Sequence, residues 1–126
     1  MHPIEKLIKD CDKAIVNEDF ETLMENYTEN AILVVQPGIN ATGKSEIRSA
    51  FERIAVYFKN GLSVEQAAMQ VIESADTALV LAKTIVSAPN QPKEERKATY
   101  VFNKVGGRWL CSIDNSYGHQ VLEQNA

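Results

Sequence analysis

The side chain in this sequence best suited to accept a proton is Asp114, set between two hydroxyls in Ser112-Ile113-Asp114-Asn115-Ser116. By the two-residue period of a strand, Ser112, Asp114 and Ser116 share a face, opposite Trp109, Cys111 and Ile113. A carboxyl in an apolar pocket has its pKa raised and can take or give a proton near neutral pH. On the residues alone, the same Ser-x-Asp-x-Ser face also reads as the wet side of a strand whose Trp-x-Cys-x-Ile side is core. Tyr100 shares a strand face with Ala98 and Phe102 and could supply a hydroxyl donor. A second candidate chemistry is phosphate binding. Gly38-Ile39-Asn40-Ala41-Thr42-Gly43-Lys44-Ser45 fits G-x-x-x-x-G-K-[ST], and it follows an apolar run and precedes a helical pattern. A phosphate loop needs a parallel sheet of repeated crossovers, and everything after Phe58 reads as consecutive strands joined by turns. The match is therefore expected to be a turn and a helix start that binds no nucleotide.

Bulk properties narrow the partners. A net charge of −4 and a pI near 5.2 argue against nucleic acid, which needs a basic stripe. The densest charge run, Lys93-Glu94-Glu95-Arg96-Lys97, is of mixed sign, follows Pro89-Asn90-Gln91-Pro92 and reads as a solvated hairpin loop. Cys11 and Cys111 match no zinc or Cys-x-x-Cys spacing, which predicts buried thiols in a reducing compartment. With His2 and His119 near the ends and no Cys/His/Asp cluster between them, neither a metal nor a cofactor is expected. The start of the chain has no secretory pattern, and no apolar run approaches a membrane span. A cytoplasmic protein without membrane contact is the expectation.

Positioning Asp114 requires a frame, and 126 residues suffice for one domain, 1–126, with a core of its own. Pro3 suits a first helical position, and Ile4, Leu7, Ile8, Cys11, Ala14 and Ile15 recur on one helix face. Asp19 caps a short second helix whose apolar face is Phe20, Leu23, Met24 and Tyr27, closed by Asn30. Ala31 to Gln36 reads as a strand ended by Pro37-Gly38. A third helix carries Ile47, Ala50, Phe51, Ile54, Ala55 and Phe58 and stops at Asn60-Gly61. Four strands follow: Leu62 to Glu73, Thr77 to Ser87, Glu95 to Val105 and Trp109 to Ser116, the last two joined at Gly106-Gly107. The plan is α+β, with helices covering one face of a curved sheet.

That order, with Asp19-Phe20-Glu21-Thr22-Leu23, Tyr27-Thr28-Glu29-Asn30-Ala31, Gly43-Lys44-Ser45-Glu46-Ile47 and Gly107-Arg108-Trp109, resembles the nuclear transport factor 2-like superfamily. It is most similar to small bacterial members related to ketosteroid isomerase and to SnoaL-type cyclases. The resemblance implies a cone-shaped, cystatin-like fold: a curved antiparallel sheet, three N-terminal helices on its concave face, a pocket between the layers and homodimerisation through the outer sheet face. Apolar residues on both parities of the first two long strands (Val64, Ala68 and Ile72 against Ala67, Met69 and Val71) point to the same dimer.

The resemblance also implies site residues. The catalytic positions of ketosteroid isomerase fall at Gln36, Cys11 and near Ala98, none of which can serve, so that mechanism is not expected. The last strand lends alternate side chains to the pocket, which makes Asp114 the candidate base, with Tyr100 or a serine hydroxyl as the candidate donor. Ile15, Gln36, Phe51, Ile54, Ala98, Phe102, Ser112 and Ser116 are expected to line the ligand space, with Arg96 and Arg108 as anion partners at the mouth. Two functions remain open: an isomerase or cyclase moving a proton on a small apolar substrate, or a non-catalytic binding or association module.

Overall fold

The computed structural model describes residues 2–58 and 60–123. Three helices, α1 (Pro3–Val16), α2 (Phe20–Met24) and α3 (Lys44–Tyr57), pack on one face of a six-stranded sheet. Its strands are β1 (Tyr27–Gln36), β2 (Ile39–Thr42), β3 (Ser63–Ser74), β4 (Thr77–Ser87), β5 (Glu94–Val105) and β6 (Arg108–Asn115), in the order β2-β1-β6-β5-β4-β3. The sheet is mixed rather than wholly antiparallel, because β1 runs parallel to β6.

Helix α1 starts on a capping box: His2 Nδ1 accepts from the Ile4 amide at 3.0 Å, and Glu5 accepts from the His2 amide at 3.2 Å. Its Ile4, Ile8 and Ala14 are buried against the sheet and the other helices. Asp19 caps α2 by accepting from the Thr22 amide. The short helix ends at Met24, earlier than its apolar spacing predicts, and Tyr27 opens β1 instead of completing the helix. The cause is tertiary: the Asn26 carbonyl accepts from the Cys111 amide at 2.8 Å, and Tyr27 pairs in register with Cys111.

The segment resembling a phosphate loop forms a β-hairpin. Residues 39–42 are β2, paired antiparallel with β1, and the Gly43 amide donates to the Ala31 carbonyl. Gly43 has φ +86°, which a side chain would strain, and it turns the chain into α3. Lys44 pairs with Glu29 at 3.4 Å.

On β4 and β5 every second residue faces the helices: Ala78, Val80, Ala82, Thr84 and Val86, then Ala98, Tyr100 and Phe102. Two neighbouring strands break this alternation. A bulge at Ala67 shifts the register of β3, so Val64 and Gln66 point inward before it and Met69 and Val71 after it. Val64, Met69 and Val71, of opposite parity in the sequence, are thus one inner face read across an inserted residue, while Ala68 and Ile72 stay on the outer side. A second bulge at Ser112 does the same to β6, where Phe102 pairs with Cys111 but Val101 pairs with Ile113.

The outer face keeps one apolar row. Ile72, Leu79, Val101, Ile113 and Ile32 lie in register across five strands. Of these, Ile72 is 48% and Ile113 41% exposed.

Candidate functional site

Between the helices and the inner sheet face lies a cavity of about 620 Å³, within the range of small-molecule sites. Its walls come from α1 (Ile8, Cys11, Asp12, Ile15), α3 (Phe51, Ile54) and the inner residues of β1, β4, β5 and β6.

The bulge at Ser112 decides what β6 contributes. Trp109 and Cys111 point inward before it, and Asp114 points inward after it. The strand therefore supplies core and carboxyl to the same side, which strict alternation forbids. Ser112 is turned to the outer face, where its hydroxyl bonds Asn103, and it does not line the cavity. Ala98 is buried in the core without reaching the cavity wall. Asp114, Tyr100, Ile15, Gln36, Phe51, Ile54, Phe102 and Ser116 all line it, Gln36 from an exposed position at the rim. Arg96 also lines the cavity, whereas Arg108 donates to Asn26 elsewhere. The charge run becomes strand at Glu94, one residue before the expected Glu95 to Val105, and Arg96 turns inward on it.

At the heart of the cavity the Tyr27 hydroxyl donates to Asp114 Oδ2 at 2.6 Å. Tyr27 is 3% exposed, and its ring packs against that of Phe51 at a centroid distance of 6.4 Å, so its hydroxyl has little freedom. Burial raises the Asp114 pKa, and the Tyr27 hydrogen bond pulls it partly back. Burial and the neighbouring Asp114 charge hold the Tyr27 phenol protonated, so it acts as donor. Among the described residues no cation pairs with Asp114, and its Oδ1 has no hydrogen bond, leaving that oxygen to the cavity.

A second carboxyl escaped the sequence reading. Asp12 projects from α1 into the same cavity, where Gln66 donates to its Oδ2 at 2.9 Å and Thr84 in turn donates to the Gln66 side-chain carbonyl at 3.2 Å. Burial pushes its pKa up to about 7; the Gln66 bond opposes this, and the Asp114 charge adds to it. Its signal was present: Asp12 stands four residues after Ile8 and three before Ile15, on the apolar stripe of the helix. Tyr27 was hidden by its assignment to α2. Burial, the largest cause, with the Asp114 charge raises the Tyr100 phenol as well, and burial pushes the Cys11 thiol up to about 12, so neither ionises near neutral pH.

The family model described as a SnoaL-like domain matches residues 4–112. The chain belongs to the SnoaL-like family. No curated protein matches its sequence. Solved structures share its fold at low identity. A protein of unknown function with a cystatin-like fold from Nostoc punctiforme is 18% identical, with a TM-score of 0.78 over 88% of this chain and 84% of that one. A protein from Novosphingobium aromaticivorans, provisionally assigned as a scytalone dehydratase, is 20% identical, with a TM-score of 0.69 over 88% of this chain and 78% of that one. The association domain of C. elegans CaMKII is 19% identical, with a TM-score of 0.70 over 88% and 89%. The SnoaL-like fold is thus shared by proteins with very different descriptions, and the site must carry the functional argument.

Proposed function

We propose that this SnoaL-like protein moves a proton on a small, largely apolar carbonyl compound, as an isomerase, cyclase or dehydratase would. The observation that carries the reading is Asp114: a carboxyl inside a cavity, with no ion pair among the described residues and one oxygen held by Tyr27. Asp114 Oδ1 takes a proton from the carbon beside the carbonyl, while Tyr27 keeps the carboxylate ionisable and aimed. The developing enolate oxygen is met by a neutral donor, protonated Asp12 or the Tyr100 hydroxyl. Return of a proton to a second carbon, or to a departing oxygen, completes the reaction. Two carboxyls whose surroundings differ are a recurring means of running acid and base steps together. Burial without a charged partner raises the pKa of both carboxyls, that of Asp12 to about 7.

The test is the Asp114 pKa, read from its side-chain carboxyl carbon by NMR. A value above the ordinary aspartate range is expected. A value at or below about 3.9 would remove the raised carboxyl on which this reading rests and favour a binding module of the same fold.

The outer apolar row supports a second copy of this chain as the occupant of that face, since a lone sheet face does not need five in-register aliphatic residues. Sedimentation at micromolar concentration should give a dimer, and Leu79→Lys a monomer. Two free cysteines favour a cytoplasmic setting. No helix among the described residues is long and apolar enough to cross a membrane.

A further inference from the structure

One cationic side chain in the cavity is left incompletely bonded. Arg96 projects from β5 into the cavity with 14% of its side chain exposed. Its Nη2 donates to Glu94 at 3.1 Å, and its guanidinium lies 4.5 Å from the centre of the Tyr117 ring. Its Nε–H has no acceptor. Among the described residues it is the one buried side-chain nitrogen or oxygen without a hydrogen-bond partner. An unbonded buried donor on a charged group costs free energy, and such groups ordinarily find partners. Here no protein group supplies one, and the atom belongs to a residue on the wall of an empty space.

The surroundings fix the guanidinium rather than satisfy it. Tyr117 is held over it by the turn after β6, where Asn115 accepts from the Tyr117 amide at 3.1 Å and donates to the Gly118 carbonyl at 3.0 Å. Gly118 has φ +57° and packs against the Lys97 carbonyl so closely that a Cβ would collide with it. Glu94, half exposed and also on the cavity wall, takes a single N–H. A second arginine, Arg53 of α3, also lines the cavity and forms no ion pair among the described residues. The two other acidic residues on the cavity wall, Asp12 and Asp114, have raised pKa values and make no bond to either arginine.

We infer that Arg96 is the seat for a carboxylate carried by the ligand, so that the substrate is an amphipathic acid: an apolar body in the cavity and an anionic end at Arg96. A guanidinium whose Nε–H is unbonded, while its Nη2 donates to Glu94, offers a carboxylate a charge-assisted bond that a neutral oxygen would take more weakly. The inference rests on the cavity being a ligand site, as proposed above. It adds the charge of the ligand and the end at which that charge sits.

The test uses a matched pair of probes, 1-naphthaleneacetic acid and its primary amide, which differ in charge and hardly in shape. Binding is measured by calorimetry at pH 7.5 to wild type, Arg96→Gln and Arg96→Lys. Wild type should bind the acid about tenfold to a hundredfold more tightly than the amide, the usual range for a charge-assisted bond. Arg96→Gln should bind both alike, with amide affinity retained. Arg96→Lys, which keeps the charge without the planar Nε–H donor, should fall between them. Equal binding of acid and amide by wild type would overturn the carboxylate seat while leaving an apolar ligand cavity standing. A preference for the acid that survives Arg96→Gln would also overturn it, by moving the seat elsewhere. Failure of both probes to bind wild type would remove the seat and the ligand-site reading together.

Discussion

Two carboxyls face the same cavity from different layers, Asp114 from the sheet and Asp12 from α1, and they are held in different ways. Asp114 is bonded by a phenol that is itself buried, clamped by Phe51 and able to lose a proton only at high pH. Asp12 is bonded by the amide of Gln66, which cannot titrate and is oriented by Thr84. Burial raises both pKa values. The partner then sets what each can do: the phenol gives Asp114 a second acid beside it, and the amide leaves Asp12 as a single titrating group balanced near neutrality. On the proposed reading, one cavity wall transfers a proton and the other holds one in readiness.

The sharpest break of this comparison is Asp114→Asn, which keeps the shape and removes the base. Deuterium incorporation from heavy water beside the carbonyl of a bound ketone should fall by about 10²- to 10⁴-fold, the usual contribution of a positioned general base. Asp12→Asn should cost less, because Tyr100 remains as a donor.

Stability should move the other way. Both carboxyls bind their protons more tightly in the folded protein than in the unfolded chain, so between the two values the folded state holds protons that the unfolded state has released. Their favourable contribution is complete below about pH 4 and is lost as pH rises, over the window from 3.8 to about 7 for Asp12. The melting temperature of wild type should therefore decline across that window. Asp12→Asn should flatten the decline and stabilise the protein at pH 7 by up to about 4 kcal/mol. A melting temperature independent of pH from 4 to 7.5 would contradict the burial of both groups.

Tyr27→Phe should act on the sheet wall alone. It removes the bond that lowers the Asp114 pKa, so that value should climb further while the Asp12 value stays close to about 7. Loss of a bond to a buried carboxyl should cost about 1–3 kcal/mol in denaturant unfolding. Gln66→Leu is the mirror experiment and the smaller one: the Asp12 pKa should rise above about 7, and Asp114 should be nearly unaffected. Lys44→Ala should change nothing at the site. Calorimetry with ATP and magnesium should give no heat for the variant or for wild type, since residues 39–42 are committed to a sheet ladder.

Legibility of the sequence followed the regularity of the backbone. Strands β4 and β5 alternate without interruption, and their inner residues, Tyr100 and Phe102 among them, could be assigned by counting in twos. The same counting fails across Ala67 and Ser112, because a bulge inserts one residue and nothing local announces it. Asp114 was found through family resemblance, and the bulge explains why the residues alone left its side undecided. Tyr27 was lost to a helix pattern that the parallel pairing with β6 overrode. Asp12 was visible as a charge on an apolar stripe, yet a single acid in an otherwise regular helix carries no spacing signature. Arg96 sat inside a mixed-charge run that resembles solvent-exposed loop, and only the pairing of β5 with β4 shows which members of the run turn inward.

The parallel contact between β1 and β6 has a consequence for how the protein comes into being. The Tyr27–Asp114 bond joins residues 87 positions apart, and β6 lies between β1 and β5 in the sheet. Without β6 the strands fall into two sets, the β1-β2 hairpin and the β3-β4-β5 meander, joined only through the helices. Strand β6 is thus the one that joins the sheet and carries Asp114, so a chain that stops before Arg108 has neither the joined sheet nor the carboxyl. Completion of the sheet and placement of Asp114 therefore depend on one strand and on contacts distant in sequence.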